Sequence, residues 1–228
     1  MSNIILIYFL LNFIVLFLCG KISYSLNLVD IPDNRKIHTK ATAYTGGVAI
    51  SVILLFAIIL FDTFNESLSL ILSTAFLVSI VGFIDDKYNL NIGGKLSLQI
   101  IPIFYLVFFE NLALLQIGKY GYFNLDLGAF SVPFTFLSLL FLINAFNYLD
   151  GVDGLLGSVT ISVLGILYFL ASVNSDHNLV RELNIHIYLV VIIIPISIFL
   201  LFNYSFLNLP KLFLGDSGSL LLGFIISF

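Results

Sequence analysis

Seven apolar runs of near-spanning length recur along this chain and leave it few folds to choose from. They occupy residues 4–19, 48–61, 68–84, 96–109, 130–146, 155–171 and 185–202. A helix needs about 20 mostly apolar residues to cross a bilayer, so the shorter runs must take in residues from their flanks. In hydrocarbon each backbone N–H and C=O must be satisfied within the protein, and a helix does this segment by segment. Composition agrees: 60% of the 228 residues are hydrophobic and 10% charged, against about 25% charged in a soluble domain. The expected fold is all-α, a polytopic transmembrane helical bundle of seven spans plus an incomplete eighth, in a single domain over residues 1–228. The first run lacks a basic leader and a small-residue cleavage site, so it reads as a retained span rather than a signal peptide. Pro133 falls where a first helical turn tolerates it, while Pro195 inside the seventh run predicts a kink. The stretch "LLQIGKYGYFNLDL" alternates polar and apolar residues around a Tyr-Gly turn, which predicts a small outer β-hairpin lying on the membrane.

Charge then assigns the sides. Alternating the seven spans places 20–45, 85–95, 147–153 and 203–218 on one face of the membrane, and 62–67, 110–128 and 174–184 on the other. The first face holds Lys21, Arg35, Lys36, Lys40, Lys87, Lys95 and Lys211; the second holds Lys119 and Arg181. Positive residues stay inside, so the first face is expected to be cytoplasmic and the N-terminus outside. The formal net charge of -4 is not that of a nucleic-acid binder. The single cysteine, Cys19, excludes a disulfide framework or a multi-cysteine metal site. After "FLGDSGS" an eighth apolar run begins. Its ten residues from Ser219 would reach about 15 Å as a helix against about 30 Å of hydrocarbon. The expectation is a chain truncated relative to a longer protein.

Three acidic motifs fall on the expected cytoplasmic face. They are "GFIDDKYNLN" with Asp85 and Asp86, "NYLDGVDG" with Asp150 and Asp153, and "FLGDSGS" with Asp216. Each sits at a helix end, where a carboxylate can reach water. Asp150 and Asp153 are three apart, so a helical turn would present both on one side. Five clustered carboxylates cannot all remain ionised without cations. Magnesium suits them, since it takes one or two carboxylates, several waters and substrate phosphates. Asn147 adds a neutral oxygen to such a shell, and Arg35, Lys36, Lys87, Lys95 and Lys211 read as phosphate holders.

Blander readings apply to the isolated residues. A lone interfacial Asp is more often a helix cap or a solvated loop residue, which fits Asp33. Lys21 and Lys40 read as topology determinants, and His38 as a solvated loop residue. His177 and His186, on the other side, read as structural. Tyr44, Tyr88, Tyr148 and Tyr204 read as members of aromatic belts. The five aspartates taken together, all on one face and accompanied by glycines, favour function.

The segments "DIPDNRKIHTKATAYTGG", "GFIDDKYNLNIGGKLSLQ", "NAFNYLDGVDGL" and "FLGDSGSLLLGF" together resemble the polyprenyl-phosphate N-acetylhexosamine-1-phosphate transferases. The likeness covers essentially the whole chain, in the family's order and spacing. The "PDNRKIH" loop is more similar to enzymes that load N-acetylglucosamine-1-phosphate than to the translocase of peptidoglycan precursors. The resemblance implies an enzyme of the bacterial cytoplasmic membrane that initiates cell-envelope polysaccharide synthesis. Undecaprenyl phosphate would attack the β-phosphate of a UDP-N-acetylhexosamine and release UMP. It implies Mg2+ as cofactor, held by Asn147 and Asp216. Asp85 and Asp86 would position or activate the lipid phosphate, and Asp150 and Asp153 would serve nucleotide and metal. Lys87, Lys95, Asn144, Arg35 and Lys36 would bind substrate. The partners are the two substrates and the bilayer, with no nucleic acid; a homodimer is left open. A phosphate monoester has its second pKa near 6, so a strong general base is not obviously required. The chain departs from the family in having "TKATAYTGG" where a proline-rich stretch is common. It also ends before the family's histidine-containing cytoplasmic loop, so an inactive truncated relative remains an alternative. A secondary transporter is a further one, disfavoured because transporters place such carboxylates near the bilayer midplane on broken helices.

Overall fold

The structure is a computed structural model that describes residues 2–32, 41–61, 64–173 and 184–228. Asp33, Arg35, Lys36, His38, Lys40, His177 and Arg181 lie outside the described residues. Among those described, the chain forms eight α-helices and two small sheets. The helices are α1 (Ser2–Ser25), α2 (Gly46–Leu60), α3 (Glu66–Tyr88), α4 (Ile92–Phe104), α5 (Ser131–Leu149), α6 (Leu155–Val173), α7 (Ile185–Asn203) and α8 (Gly215–Ser227). Six stretches are long and apolar enough to cross a membrane: α1, α3, α4 with its extension to Phe109, α5 with the turn before it, α6 and α7. The chain is a multi-pass membrane protein, a helical bundle as its apolar runs require.

The two shorter helices are the innermost. α2 does not lengthen at its flanks: its 15 residues reach about 22 Å. α8 begins at Gly215, four residues before the expected start, and so takes Asp216 into its first turn. α8 packs against α3, α5 and α2, and Ser217 through Phe224 are buried along it. Small residues permit the approach. A Cβ on Gly47 would lie 2.0 Å from the Gly218 nitrogen, and one on Gly82 would lie 2.3 Å from the Asp216 carbonyl oxygen. Without a hydrophobic drive between helices in lipid, close van der Waals packing of this kind holds them together.

The segment before α8 is stitched to the start of α2. Gly46 N–H donates to the Phe213 carbonyl (3.0 Å), Gly47 N–H to the Leu214 carbonyl (2.8 Å), and Phe213 N–H to the Ala43 carbonyl (2.8 Å). The first amides of α2, which have no partner inside the helix, are satisfied this way. Strands β1 (Val29–Asp30) and β2 (Thr42–Ala43) pair antiparallel beside this junction.

The hairpin expected over 114–127 is present, as β3 (Gln116–Tyr120) and β4 (Phe123–Asp126). Gly121 turns it at a φ of 62°, a conformation glycine adopts without strain. α7 runs unbroken through Pro195. In α4 the register changes, where Pro102 is followed by a π-helical turn over Tyr105–Phe109. Pro102 supplies no N–H to the helix ladder, and a π turn after it re-satisfies the backbone.

Candidate active site

The tight turn between α3 and α4 shows how sequence builds the site. Asn89 ends α3 in the left-handed region (φ 49°) with its N–H on the Asp85 carbonyl. Two residues later the Asn91 side chain accepts the Gly94 N–H at 2.7 Å and starts α4. The Asp85 carboxylate braces the turn by accepting the Leu90 N–H at 2.8 Å. Lys95, one turn into α4, is thereby returned to Asp85.

Lys95 is the centre of a polar cluster. Its Nζ lies 2.7 Å from Asp85 Oδ2 and 2.6 Å from Asp216 Oδ2, and donates to Asn147 Oδ1 at 2.9 Å. Asn147, in the last turn of α5, donates from Nδ2 to Asp216 Oδ1 (2.9 Å) and to Ser219 Oγ (2.8 Å). Four elements thus meet through four side chains. Asp86 does something different. Its Oδ1 accepts the Asp216 N–H (2.8 Å) and its Oδ2 the Ser217 N–H (3.1 Å). It is a long-range cap on the first turn of α8, satisfying orphan amides and complementing the helix dipole. Gly215, between Leu214 and Asp216, has a φ of +74°, and a Cβ there would meet the Tyr44 carbonyl at 2.6 Å and Asp86 Oδ2 at 2.7 Å.

Of these groups, Asp85, Asp86, Gly215 and Asp216 line a cleft of about 900 Å³ at one end of the bundle, together with Asp150, Asp153, Asp30, Tyr44 and Lys211. Lys95 and Asn147 are not in that wall and are joined to it through Asp85 and Asp216. Asp150 and Asp153 do not share a helical turn, as their spacing had suggested. α5 ends at Leu149, α6 starts at Leu155, and both aspartates sit in the turn between. Gly151 and Gly154, the latter at φ +72°, break the helix there. The turn nevertheless brings both to the cleft. Asp153 pairs with Lys211 at 2.5 Å. Burial pushes the Asp150 carboxyl up to about 7, and the negative charges of Asp216 and Asp153 add to it. Burial, then Asp86 and Asp30, also raise the Tyr44 phenol.

Among the described residues, six aspartates of the cleft face two ammonium groups, Lys95 and Lys211. A surplus of negative charge on this scale attracts cations. No group of three or more Asp, Glu, His or Cys side chains converges on one metal position among the described residues. Asn147 Oδ1 and Asp216 Oδ2 do converge, since one ammonium contacts both. One carboxylate and one amide oxygen, completed by water and phosphate, form a donor set that fits magnesium.

Two expected site residues are placed elsewhere. Lys87 is exposed, its Nζ 5.5 Å from the Tyr88 ring centre, and is not part of the cleft wall. Asn144 faces α4, donating to Gln99 Oε1 at 2.8 Å and to the Leu140 carbonyl. Arg35 and Lys36 lie outside the described residues. In turn, Asp30, Tyr44, Asn89 and Ser219 were not singled out by sequence. Tyr44 had read as an interfacial aromatic, yet it lines the cleft. The adjoining "TGG" was the available signal, since those glycines dock against the segment carrying Asp216. His186 packs edge-on against the Tyr168 ring (5.1 Å), well away from the cleft lining.

Comparison with known proteins decides the family. Residues 67–228 match the family described as glycosyl transferase family 4. The chain belongs to that family. It is 28% identical over 229 residues to the undecaprenyl-phosphate alpha-N-acetylglucosaminyl 1-phosphate transferase of Yersinia pestis, covering 98% of this chain and 60% of the relative. The Salmonella typhi protein of the same name is 31% identical over 227 residues, covering 96% and 58%. A probable undecaprenyl-phosphate N-acetylglucosaminyl 1-phosphate transferase of Bacillus subtilis (strain 168) is 29% identical over 215 residues, covering 91% and 56%. The chain therefore spans about three fifths of the length of the curated relatives it matches. In glycosyl transferase family 4 terms, the paired aspartates ending α3 and the aspartate opening α8 both lie inside the matched region.

Proposed function

We propose that this protein transfers N-acetylhexosamine-1-phosphate, and specifically N-acetylglucosamine-1-phosphate, from a UDP-sugar to undecaprenyl phosphate. The reaction would take place at the cytoplasmic face of the bacterial inner membrane, with the N-terminus outside, and initiate envelope polysaccharide synthesis. The observation that carries the reading is the meeting of Asp85, Lys95, Asn147 and Asp216 in one polar cluster, two of whose carboxylates line an acidic cleft. The names of the relatives support the substrate class.

An oxygen of the lipid phosphate attacks the β-phosphorus of the UDP-sugar. The bond from that phosphorus to the bridging oxygen breaks, and UMP leaves with the electron pair. The lipid phosphate is largely dianionic at neutral pH, so positioning and charge neutralisation account for most of the acceleration. Asn147 and Asp216 would hold Mg2+, which when bound neutralises charge on the diphosphate. Lys95, steadied by Asp85, faces the phosphates. Asp86 keeps the first turn of α8, and with it Asp216, in place. Asp150, Asp153 and Lys211 line the same cleft and would serve the nucleotide.

The test is UMP release by the purified protein in lipid, supplied with UDP-N-acetylglucosamine, undecaprenyl phosphate and Mg2+. The expected result is UMP formation that needs both substrates and stops with chelator. Solute uptake into vesicles without UMP formation would overturn the reading.

A further inference from the structure

Lys95 contacts both side chains that would hold the metal. Its Nζ contacts Asp216 Oδ2 at 2.6 Å and Asn147 Oδ1 at 2.9 Å, the two oxygens assigned to magnesium above. A third contact, to Asp85 Oδ2 at 2.7 Å, lies on the opposite element, α3. The side chain is 14% exposed, so the ammonium is an internal counter-ion rather than a surface charge. A divalent ion bound to the same two oxygens would repel it, because two cations would then crowd one pair of acceptors.

We propose that Lys95 is a placeholder cation, which leaves Asp216 and Asn147 when a divalent metal binds and stays tethered to Asp85. This rests on the magnesium reading above and adds to it a competition inside the protein. The physical logic is a balance of charge and hydration. A divalent ion carries twice the ammonium's charge and approaches oxygen more closely, about 2.1 Å for Mg2+, yet it gives up water reluctantly. A tethered ammonium needs no diffusion and leaves the carboxylates neutralised when metal is absent. Cleft and bundle therefore keep their geometry in both states, and the substrate phosphates tip the exchange by completing the metal's shell.

Two measurements on the substrate-free protein in detergent test this. The first is amine-specific labelling read by peptide mass spectrometry, with and without saturating Mg2+. Labelling at Lys95 should rise about tenfold with Mg2+, once its ammonium has lost two acceptors and gained a like-charged neighbour. Lys21, which lies against the Phe17 ring on α1, should not change. The second is Mg2+ affinity by calorimetry in Lys95→Met. If the lysine-bound form outweighs the open form by about ten to one, removing it tightens apparent binding by about that factor. Unchanged Lys95 labelling with Mg2+ demonstrably bound, or equal or weaker Mg2+ binding by folded Lys95→Met, overturns the proposal. Absence of Mg2+ binding in both proteins overturns the metal assignment as well. Should Lys95→Met fail to fold, labelling of the unmodified protein decides alone.

Discussion

Asp216 and Asp86 are bonded to each other's surroundings but do different work. Asp216 points its carboxylate at Lys95 and Asn147, so Asp216→Asn should abolish Mg2+-dependent UMP release; an unchanged rate would remove it from the metal site. Asp86 holds two amides of α8. Asp86→Ala should lower thermal stability by about 1–3 kcal/mol, the cost of leaving buried donors unpaired. Asp86→Asn, still an acceptor, should recover part of that loss, and equal melting temperatures for all three proteins would remove the cap. Asp150 adds a pH dependence. Its folded value near 7 lies above the ordinary carboxyl value, so the folded state holds a proton that the unfolded state has released. Stability in chelator should therefore fall as pH rises from about 4 to 7 and level off above it. Asp150→Asn should flatten that window when melting is followed against pH.

The close crossing of α2, α3 and α8 decides where the site can form. Gly82 precedes Asp86 by one turn, so the same contact that lets α3 touch the start of α8 brings the capping carboxylate into reach. Gly47→Ala would put a carbon 2.0 Å from the Gly218 nitrogen, which backbone cannot yield without moving a helix. A loss of about 3 kcal/mol is expected from such overpacking. Gly165 on α6 has nothing within 4 Å, so Gly165→Ala should be neutral or slightly stabilising, since alanine is the better helix former by about 1 kcal/mol. Similar melting temperatures for the two variants would contradict the packing described.

The whole molecule keeps its polar machinery at one end and its apolar surface around the sides. Large exposed residues such as Phe141 on α5 and Phe169 on α6 face the lipid a bundle requires. A thiol introduced at Lys87 should react from the cytoplasmic side, given the lysine asymmetry of the loops. One at Tyr122, fully exposed at the tip of the hairpin, should react from the opposite side. Labelling of both from the same side would overturn the alternation of spans. On the proposed function, a site at one boundary would let a lipid-borne phosphate and an aqueous nucleotide sugar meet without either leaving its phase.

Amino-acid order by itself determined the helical bundle, the hairpin and the gathering of acidic motifs toward one end. Those features follow from periodicity, span length and turn chemistry, which are local and additive along the chain. It also marked Asn147 and Asp216 as a pair worth testing. Tertiary structure alone decided that Lys95 sits between them, that Asp86 spends its oxygens on α8, and that Asn144 turns to Gln99. It decided too that Asp150 and Asp153 occupy a turn, and that Tyr44 belongs to the cleft. Each of these depends on contacts between residues far apart in the chain, set by how closely two backbones can approach. A residue's type and spacing carry no record of that distance.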